Sequence, residues 1–427
     1  MGGMGISRRD ALRFLGAGTA TAVGLGIAGC SSSGATKMPA NPGDASGDVT
    51  MWIYPIDPEN EQAWWPAQIK AFNQTYPKVK VTVVVQPWAN RDEHLTTAIA
   101  GGKGPDVVYM IPDELPGFAD QQVLADVSDV ISKDRSDFRD KALEAMTYKN
   151  TLYGVPILMS GGATAVNEKI FTACGVTSMP ETWDDLLAVG AQLKPKGYDL
   201  LQYAATPDQT LNLTYYPLLW QAGGQILNQG MTKAAFNSPA GLEALNFVLT
   251  LNSKGYLPKG PLTVPSTEGT NLIATGKIGV VTDGGVSSTT SGINLADWKV
   301  GPPPKKKISA AYGVVGGLSV LSGSKNQAAA KAWVHYVASP AHLRKFDKQR
   351  QYFAPRKSIT GLFTGVPLLG DEEKYVDTAI PGLIHPKARQ IMDLIKPELQ
   401  SAILGKISPE AALAAAEKSV NGLLAGS

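Results

Sequence analysis

Read for hydrophobic and polar positions, the chain from residue 48 alternates between strand-like and helix-like stretches. Asp48–Tyr54 is an apolar run that stops at Pro55 and predicts a first strand. Trp64, Trp65, Ile69 and Phe72 then recur at helical spacing. Asp57 followed by Pro58 predicts the start of that helix, with the aspartate as cap and the proline at the first position. Val79–Val85 predicts a second strand, 93–100 a second helix, and Asp106–Met110 a third strand. At the far end Ser408 and Pro409 open a helix with body Ala411–Leu424, which Gly426 ends. Strands alternating with helices imply parallel pairing and an α/β layer. Ligands of such sheets bind beyond the carboxyl ends of the strands. The loops 54–57, 86–91 and 111–117 are therefore the places to look.

The first thirty residues follow a different pattern. Arg8 and Arg9 precede Phe14–Gly29, 16 residues without a charge. That is short of the roughly 20 apolar residues of a spanning helix. A basic start before a short apolar run describes a secretory signal. The paired arginines resemble a twin-arginine export signal. Ile27-Ala28-Gly29-Cys30 resembles the bacterial lipobox, which implies that 1–29 is a signal peptide and Cys30 the lipid anchor. Residues 30–47, rich in Ser, Gly, Ala and Pro, read as a flexible linker.

Composition adds exclusions. Removing 1–29 takes away three arginines and one aspartate, which balances the 39 basic and 37 acidic residues of the chain. A balanced chain gives no electrostatic reason to expect nucleic acid. Cys174 is then the one cysteine besides Cys30, so no internal disulfide forms if Cys30 carries lipid, and Cys174 reads as a small hydrophobe. About 380 residues exceed what one core usually serves, so two domains are expected.

From Ala98 to Val108 the sequence AIAGGKGPDVV resembles the "AxAxGxxPDV" segment of extracellular solute-binding proteins of ABC sugar importers, the maltose-binding-like family. Tyr153–Pro156 resembles that family's "YGVP", and 167–171 with 180–186 its "YNKxxF … PxTWDEL". Residues 274–280 resemble "GKxAM", and Phe353–Ser358 "PxRxS". The order is the family's across nearly the whole mature chain. The resemblance implies a two-lobed periplasmic-binding-protein-like α/β fold of type II, each lobe a sheet flanked by helices, with the ligand cleft between. Crossings are expected near Val155–Leu158, Val300–Pro304 and Tyr352–Arg356. Lobe 1 is then 48–157 with 301–350, and lobe 2 is 158–300 with 351–427. Arg356 is expected to pin the third crossing.

The resemblance also implies capture of a sugar or oligosaccharide by lobe closure and delivery to the permease subunits of an ABC transporter. The protein is expected to be a monomer at the outer face of the membrane, without cofactor or metal. A saccharide needs partners for its hydroxyls and aromatic rings for its carbon faces. The strand-end loops supply Tyr54, Asp57, Trp88, Arg91, Asp113 and Glu114. Asp113 falls where maltose-binding relatives hold a hydroxyl with an acid. Tyr54 and Trp88 read equally as contacts or as lobe packing, and Glu114 equally as a solvated charge. Ser160 follows the first crossing, where many relatives carry an acid. Trp220, before Gly223 and Gly224, resembles the family's aromatic before a glycine pair. Asp283 stands in Asp283-Gly284-Gly285, where others have "GxW". Gly317 would permit close approach to a ligand or serve a turn, and His385 sits where the last lobe returns to the cleft.

Two other classes stay open on the residues. A binding protein for a polyol phosphate or a peptide would fit the fold, with Arg91 and Arg356 as the candidate phosphate partners. For a hydrolase there is no GxSxG, HExxH or CxxC, and the four histidines lack ligand spacing. A carboxylate pair for glycoside hydrolysis is not excluded by sequence.

Overall fold

The computed structural model describes residues 36–57, 60–206, 209–260, 273–282 and 293–426. Two large hydrophobic cores organise them. The first gathers Met51, Trp65, Phe72, Val107, Phe138, Trp333 and Phe346. The second gathers Trp183, Tyr215, Leu219, Phe236, Phe247, Ile391 and Leu413.

The strands are β1 (Gly47–Ile53), β2 (Val79–Val85), β3 (Val107–Met110), β4 (Thr147–Tyr148), β5 (Thr151–Leu152), β6 (Val155–Met159), β7 (Thr164–Asn167), β8 (Val280–Val281), β9 (Trp298–Gly301) and β10 (Val315–Val320). The first lobe holds a five-stranded sheet in the order β2-β1-β3-β10-β6. β1 runs parallel to β2 and β3, with Gly47 opposite Val79 and Met51 opposite Val107. β10 runs antiparallel to both β3 and β6, because the chain re-enters this sheet from the second lobe. The second lobe carries the antiparallel sheet β8-β7-β9.

Local chemistry sets the elements. Val49, Met51 and Ile53 of β1 turn inward while alternate residues stay partly open, the period of two that a pleated strand requires. The helix Glu61–Phe72 begins four residues after Asp57, so Asp57 is not its cap. Instead the Asp57 carbonyl accepts the Glu61 N–H, and the Glu61 carboxylate accepts the Asp57 N–H. In the helix Trp183–Leu193, Thr182 and Asp185 form a reciprocal capping box, which explains the Thr-Trp-Asp-Asp motif as a helix start. The helix Ala388–Ile403 buries Ile391, Ile395 and Leu399, one stripe at a spacing of four, in the second core. Each such side chain contributes about 1.5–3 kcal/mol of burial. Ser408 caps the helix Pro409–Ala425 through the Ala411 N–H.

The lobe boundaries differ from those expected. Phe353, Ala354, Ile359, Phe363, Leu369 and Val376 belong to the first core, so the segment after 350 does not leave it at once. Arg356 holds it there: it pairs with Asp134 at 2.7 Å and Asp137 at 3.1 Å, and lies over the Phe138 ring. Leu368 already packs with Ala165, Val281 and Trp298 of the second lobe's sheet, and the chain reaches the second core near Ile380, which pairs with Tyr312. Likewise Leu158 and Met159 stay in the first core, and Ala310 belongs to the second. The crossings at 160–164 and 310–315 are packed closely, since a Cβ at Gly162 would meet the Ala311 methyl at 2.7 Å. The expected linker is also partly built into the fold. Ala45 is buried in the first core, and the Met38 N–H donates to Asp129 at 2.6 Å. Cys174 is a half-buried free thiol, raised by burial.

Candidate functional site: a charged and aromatic cleft between the lobes

Because β2, β1 and β3 run parallel side by side, the residues that follow them collect at one edge of the sheet. Tyr54 and Trp88 stack there with ring centroids 4.8 Å apart, and Tyr109 packs edge-on against both. Tyr54 is buried, whereas Trp88 keeps 42% of its surface exposed. Arg91, the first residue of the helix Arg91–Ala100, places its guanidinium 4.8 Å from the Trp88 ring. Its Nε lies against Glu114, whose side chain is 4% exposed. Glu114 and Asp113 come from the loop between β3 and the helix Leu115–Asp120.

The second lobe answers with Arg389, in the first turn of the helix Ala388–Ile403. Its Nη1 is 3.0 Å from Asp92, its Nη2 is 3.0 Å from Glu114, and its Nε is 3.7 Å from Asp113. Burial pushes the Glu114 carboxyl well above the usual carboxylate range, and the Arg91 and Arg389 guanidiniums oppose that push. Burial, followed by the nearby Glu114 charge, raises the Tyr54 hydroxyl to about 12. Tyr312 is raised first by burial and then by Asp113; Tyr216 is raised by burial, then Tyr215, then Asp113. The Asp113 Oδ1 and the Tyr216 hydroxyl are both buried without a hydrogen-bond partner among the described residues. Tyr312 also walls a narrow recess in the second lobe, where the Asn212 Oδ1 is buried and has no hydrogen-bond partner among the described residues.

The structure thus brings together Tyr54, Trp88, Asp113 and Glu114 of the residues singled out from sequence. The others lie elsewhere. Asp57 accepts from Asn60 at 3.2 Å and from Gln349 at 3.1 Å. Ser160 accepts the Val314 N–H at 2.9 Å and ties two crossing segments together. Trp220 is buried in the second core behind Tyr216, ring centroids 6.1 Å apart. Gly317 serves sheet packing, since a Cβ there would lie 2.8 Å from the Met146 sulfur and 3.0 Å from the Val155 carbonyl. His385 is half-buried, and its Nδ1 accepts the Lys387 N–H at 3.0 Å. Asp283 and Cys30 lie outside the described residues.

Sequence reasoning missed Arg389, Tyr216 and Tyr312. One signal for Arg389 was available. An arginine in the first turn of a helix faces the positive end of the macrodipole, so its charge is placed there against local preference. For Tyr216 no local signal exists: Tyr215 beside it donates to the Gly241 carbonyl at 3.0 Å, and the doublet alone does not say which ring turns to the cleft.

Chemically the cleft offers carboxylate and phenol oxygens for hydroxyl groups, an aromatic face, and two arginines already matched by three carboxylates. No group of three or more His, Cys, Asp or Glu among the described residues could hold a metal. No helix among them is long and apolar enough to cross a membrane. The model of the bacterial extracellular solute-binding proteins matches residues 57–342.

The chain belongs to that family.

Relatives of this solute-binding protein span almost the same length. A protein of Brucella abortus named as a binding protein is 24% identical over 83% of this chain and 88% of its own. Among solved structures, the cyclic α-maltosyl-1,6-maltose binding protein of Arthrobacter globiformis superposes with a TM-score of 0.77 at 22% identity, over 90% of this chain and 100% of that one. A Streptomyces glaucescens receptor, solved unliganded and with acarbose, superposes with a TM-score of 0.76 at 22% identity, over 89% and 99%. The solute-binding protein therefore has the two-lobed fold of periplasmic binding proteins, as the order of its motifs implied.

Several of those motifs are structural in this solute-binding protein. Asp106 of the Pro-Asp-Val segment accepts from the Thr50 N–H at 2.8 Å and from Ser324 at 2.5 Å. Ser358 binds Asp137 through both its N–H and its hydroxyl. They hold the lobe together and carry no information about the solute.

Proposed function

We propose that this solute-binding protein captures a sugar or oligosaccharide between its lobes and hands it to the permease of an ABC importer. One observation carries the reading: the half-exposed Trp88 face stands beside Tyr54 at the strand ends that also bear Asp113, whose Oδ1 is buried without a partner. A sugar ring packs a carbon face on an aromatic ring and gives a hydroxyl to a carboxylate. An unpaired buried polar group costs about 1–3 kcal/mol, so a hydroxyl that fills it gains discrimination. Glu114 and Ser160 act as supports in this reading, and Tyr216 and Tyr312 supply the second lobe's side. Asp57, Gly317, His385 and Trp220 are structural. The sugar-binding names of relatives such as the Bacillus subtilis arabinooligosaccharide-binding protein support the same class of solute.

Phosphate is the weaker reading. Arg91 and Arg389 converge on the cleft, but Asp92, Asp113 and Glu114 already balance them. The protein acts by binding and closure, not by catalysis; a ligand favours the closed form by its differential affinity for it. Thermal-shift screening against a saccharide panel tests the reading, because a ligand at about 100 times its dissociation constant adds about 2.7 kcal/mol. No shift with any saccharide, beside a shift with polyol phosphates or peptides, refutes it. Sugar release on incubation with oligosaccharides would make the protein a hydrolase.

The protein works as a monomer at the outer face of the cell membrane, exported through the twin-arginine route and tethered by lipid on Cys30. An extracellular family and a lipoprotein relative from Streptomyces antibioticus support that placement. Radiolabelled palmitate incorporated into the wild type and not into Cys30→Ala is the expected result.

A further inference from the structure

We infer that Arg389 is a positioning residue that latches the two lobes shut before any solute arrives. Its helix is anchored in the second core through Ala388, Ile391 and Met392. All three of its carboxylate partners stand on the first lobe: Asp92 in the helix after β2, and Asp113 and Glu114 after β3. Every one of these pairings therefore crosses the cleft. No other arginine among the described residues reaches three carboxylates of the opposite lobe. The planar guanidinium spreads its charge over three nitrogens, so that separate nitrogens stand 3.0 Å from Asp92, 3.0 Å from Glu114 and 3.7 Å from Asp113, whereas an ammonium would have to serve all three from a single nitrogen.

The surroundings favour closure at this place. Arg91, on the first lobe, leans on the same Glu114 and fixes it as the anchor. Beside the cluster the lobes touch directly: a Cβ at Gly117 would lie 3.1 Å from the Pro386 carbonyl oxygen. The latch leaves the Asp113 Oδ1 and the Tyr216 hydroxyl unused, so a solute hydroxyl enters without breaking the Arg389–Glu114 pair. Closing contacts that persist in the loaded form raise the fraction of empty protein competent to bind, and apparent affinity follows that fraction.

Arg389 is about a third exposed, with a side-chain exposure of 36%, so salt reaches the latch. At about 1 M salt the screening length is about 3 Å, against about 10 Å at 0.1 M. The test is small-angle X-ray scattering of the empty protein, wild type and Arg389→Gln, at low and at about 1 M sodium chloride. Wild type is expected to be compact at low salt and to expand at high salt. The variant is expected to be expanded at both, its closed-to-open ratio lower by about tenfold. Arg389→Lys should fall between them, keeping charge but not the fork. A melting curve of each variant verifies the fold, and the wild-type salt series needs no variant at all. A wild-type radius of gyration indifferent to salt overturns the latch, as does an Arg389→Gln protein as compact as wild type. No solute is present in these measurements, so their failure would not touch the sugar reading, nor would a failed saccharide screen touch them.

Discussion

His342 is buried deep in the first lobe, and that placement makes the protein acid-sensitive in a defined window. The ring is 4% exposed and neither nitrogen has a hydrogen-bond partner among the described residues. It stacks on Trp65 at 6.2 Å and meets the edges or tilted faces of Trp64, Phe346 and Tyr336 at 5.5–5.8 Å. Burial holds its pKa down to about 3, with Arg350 and Lys345 adding to the effect. In the unfolded chain the same group titrates near 6.5. The folded state thus keeps His342 neutral while the unfolded state takes up a proton below pH 6.5. Stability from this group is complete above pH 6.5 and drains as pH falls toward 3. The slope is about 1.4 kcal/mol per pH unit, or about 2 kcal/mol between pH 6.5 and 5. Replacing His342 with leucine removes the titration and keeps an apolar side chain in the site. Urea unfolding at pH 7 and pH 5, followed by tryptophan fluorescence and circular dichroism, measures both proteins. The wild type should lose about 2 kcal/mol more than His342→Leu over that interval. Parallel losses in the two proteins would refute a neutral, buried His342.

Other expectations concern the neighbouring ion pair and the cleft. Glu61 and Arg350 are paired at 2.9 Å with side-chain exposures of 2% and 0%, and Glu61 also accepts from Trp65. Arg350→Met should cost about 3–5 kcal/mol by leaving a buried carboxylate alone, read as a lowered melting temperature; an unchanged melting curve would mean the pair is dispensable. Trp88→Ala should weaken affinity for whichever saccharide shifts melting by about tenfold, with little change in stability, since the ring is half in solvent; calorimetric titration that gives equal affinity would remove Trp88 from the site. A Cβ at Gly316 would collide with the Tyr109 hydroxyl, so Gly316→Ala should cost about 1–3 kcal/mol. Because Tyr109 packs on Tyr54 and Trp88, that variant should also bind saccharide less well, and calorimetry would detect a stable variant with intact binding as the contrary result.

Much of the fold is written locally. The period of two in Val49, Met51 and Ile53, the helical spacing around Trp64, and the capping signals at Thr182 and Ser408 each concern neighbours a few residues apart. Parallel order then follows from alternation, and the strand-end loops with Tyr54, Trp88, Asp113 and Glu114 follow from parallel order. The family's motifs are legible for the same reason: they are helix starts and strand pins, held by contacts their own residue types demand.

What only the tertiary structure decided lies at long range. Trp88 and Trp220 are the same residue type, yet one keeps an open face and the other fills the second core. That outcome depends on which side of a helix or loop meets a partner formed elsewhere in the chain. The segment 353–363 stays with the first lobe because Arg356 finds Asp134, Asp137 and the Phe138 ring, more than 200 residues earlier. Arg389 meets Asp92, Asp113 and Glu114 only because two separately formed lobes close on each other. Hydrophobic period and capping act within a few turns of chain, so they place each charge on its own element. Which charges then face one another across the cleft is set by the packing of whole lobes, and no local pattern encodes it.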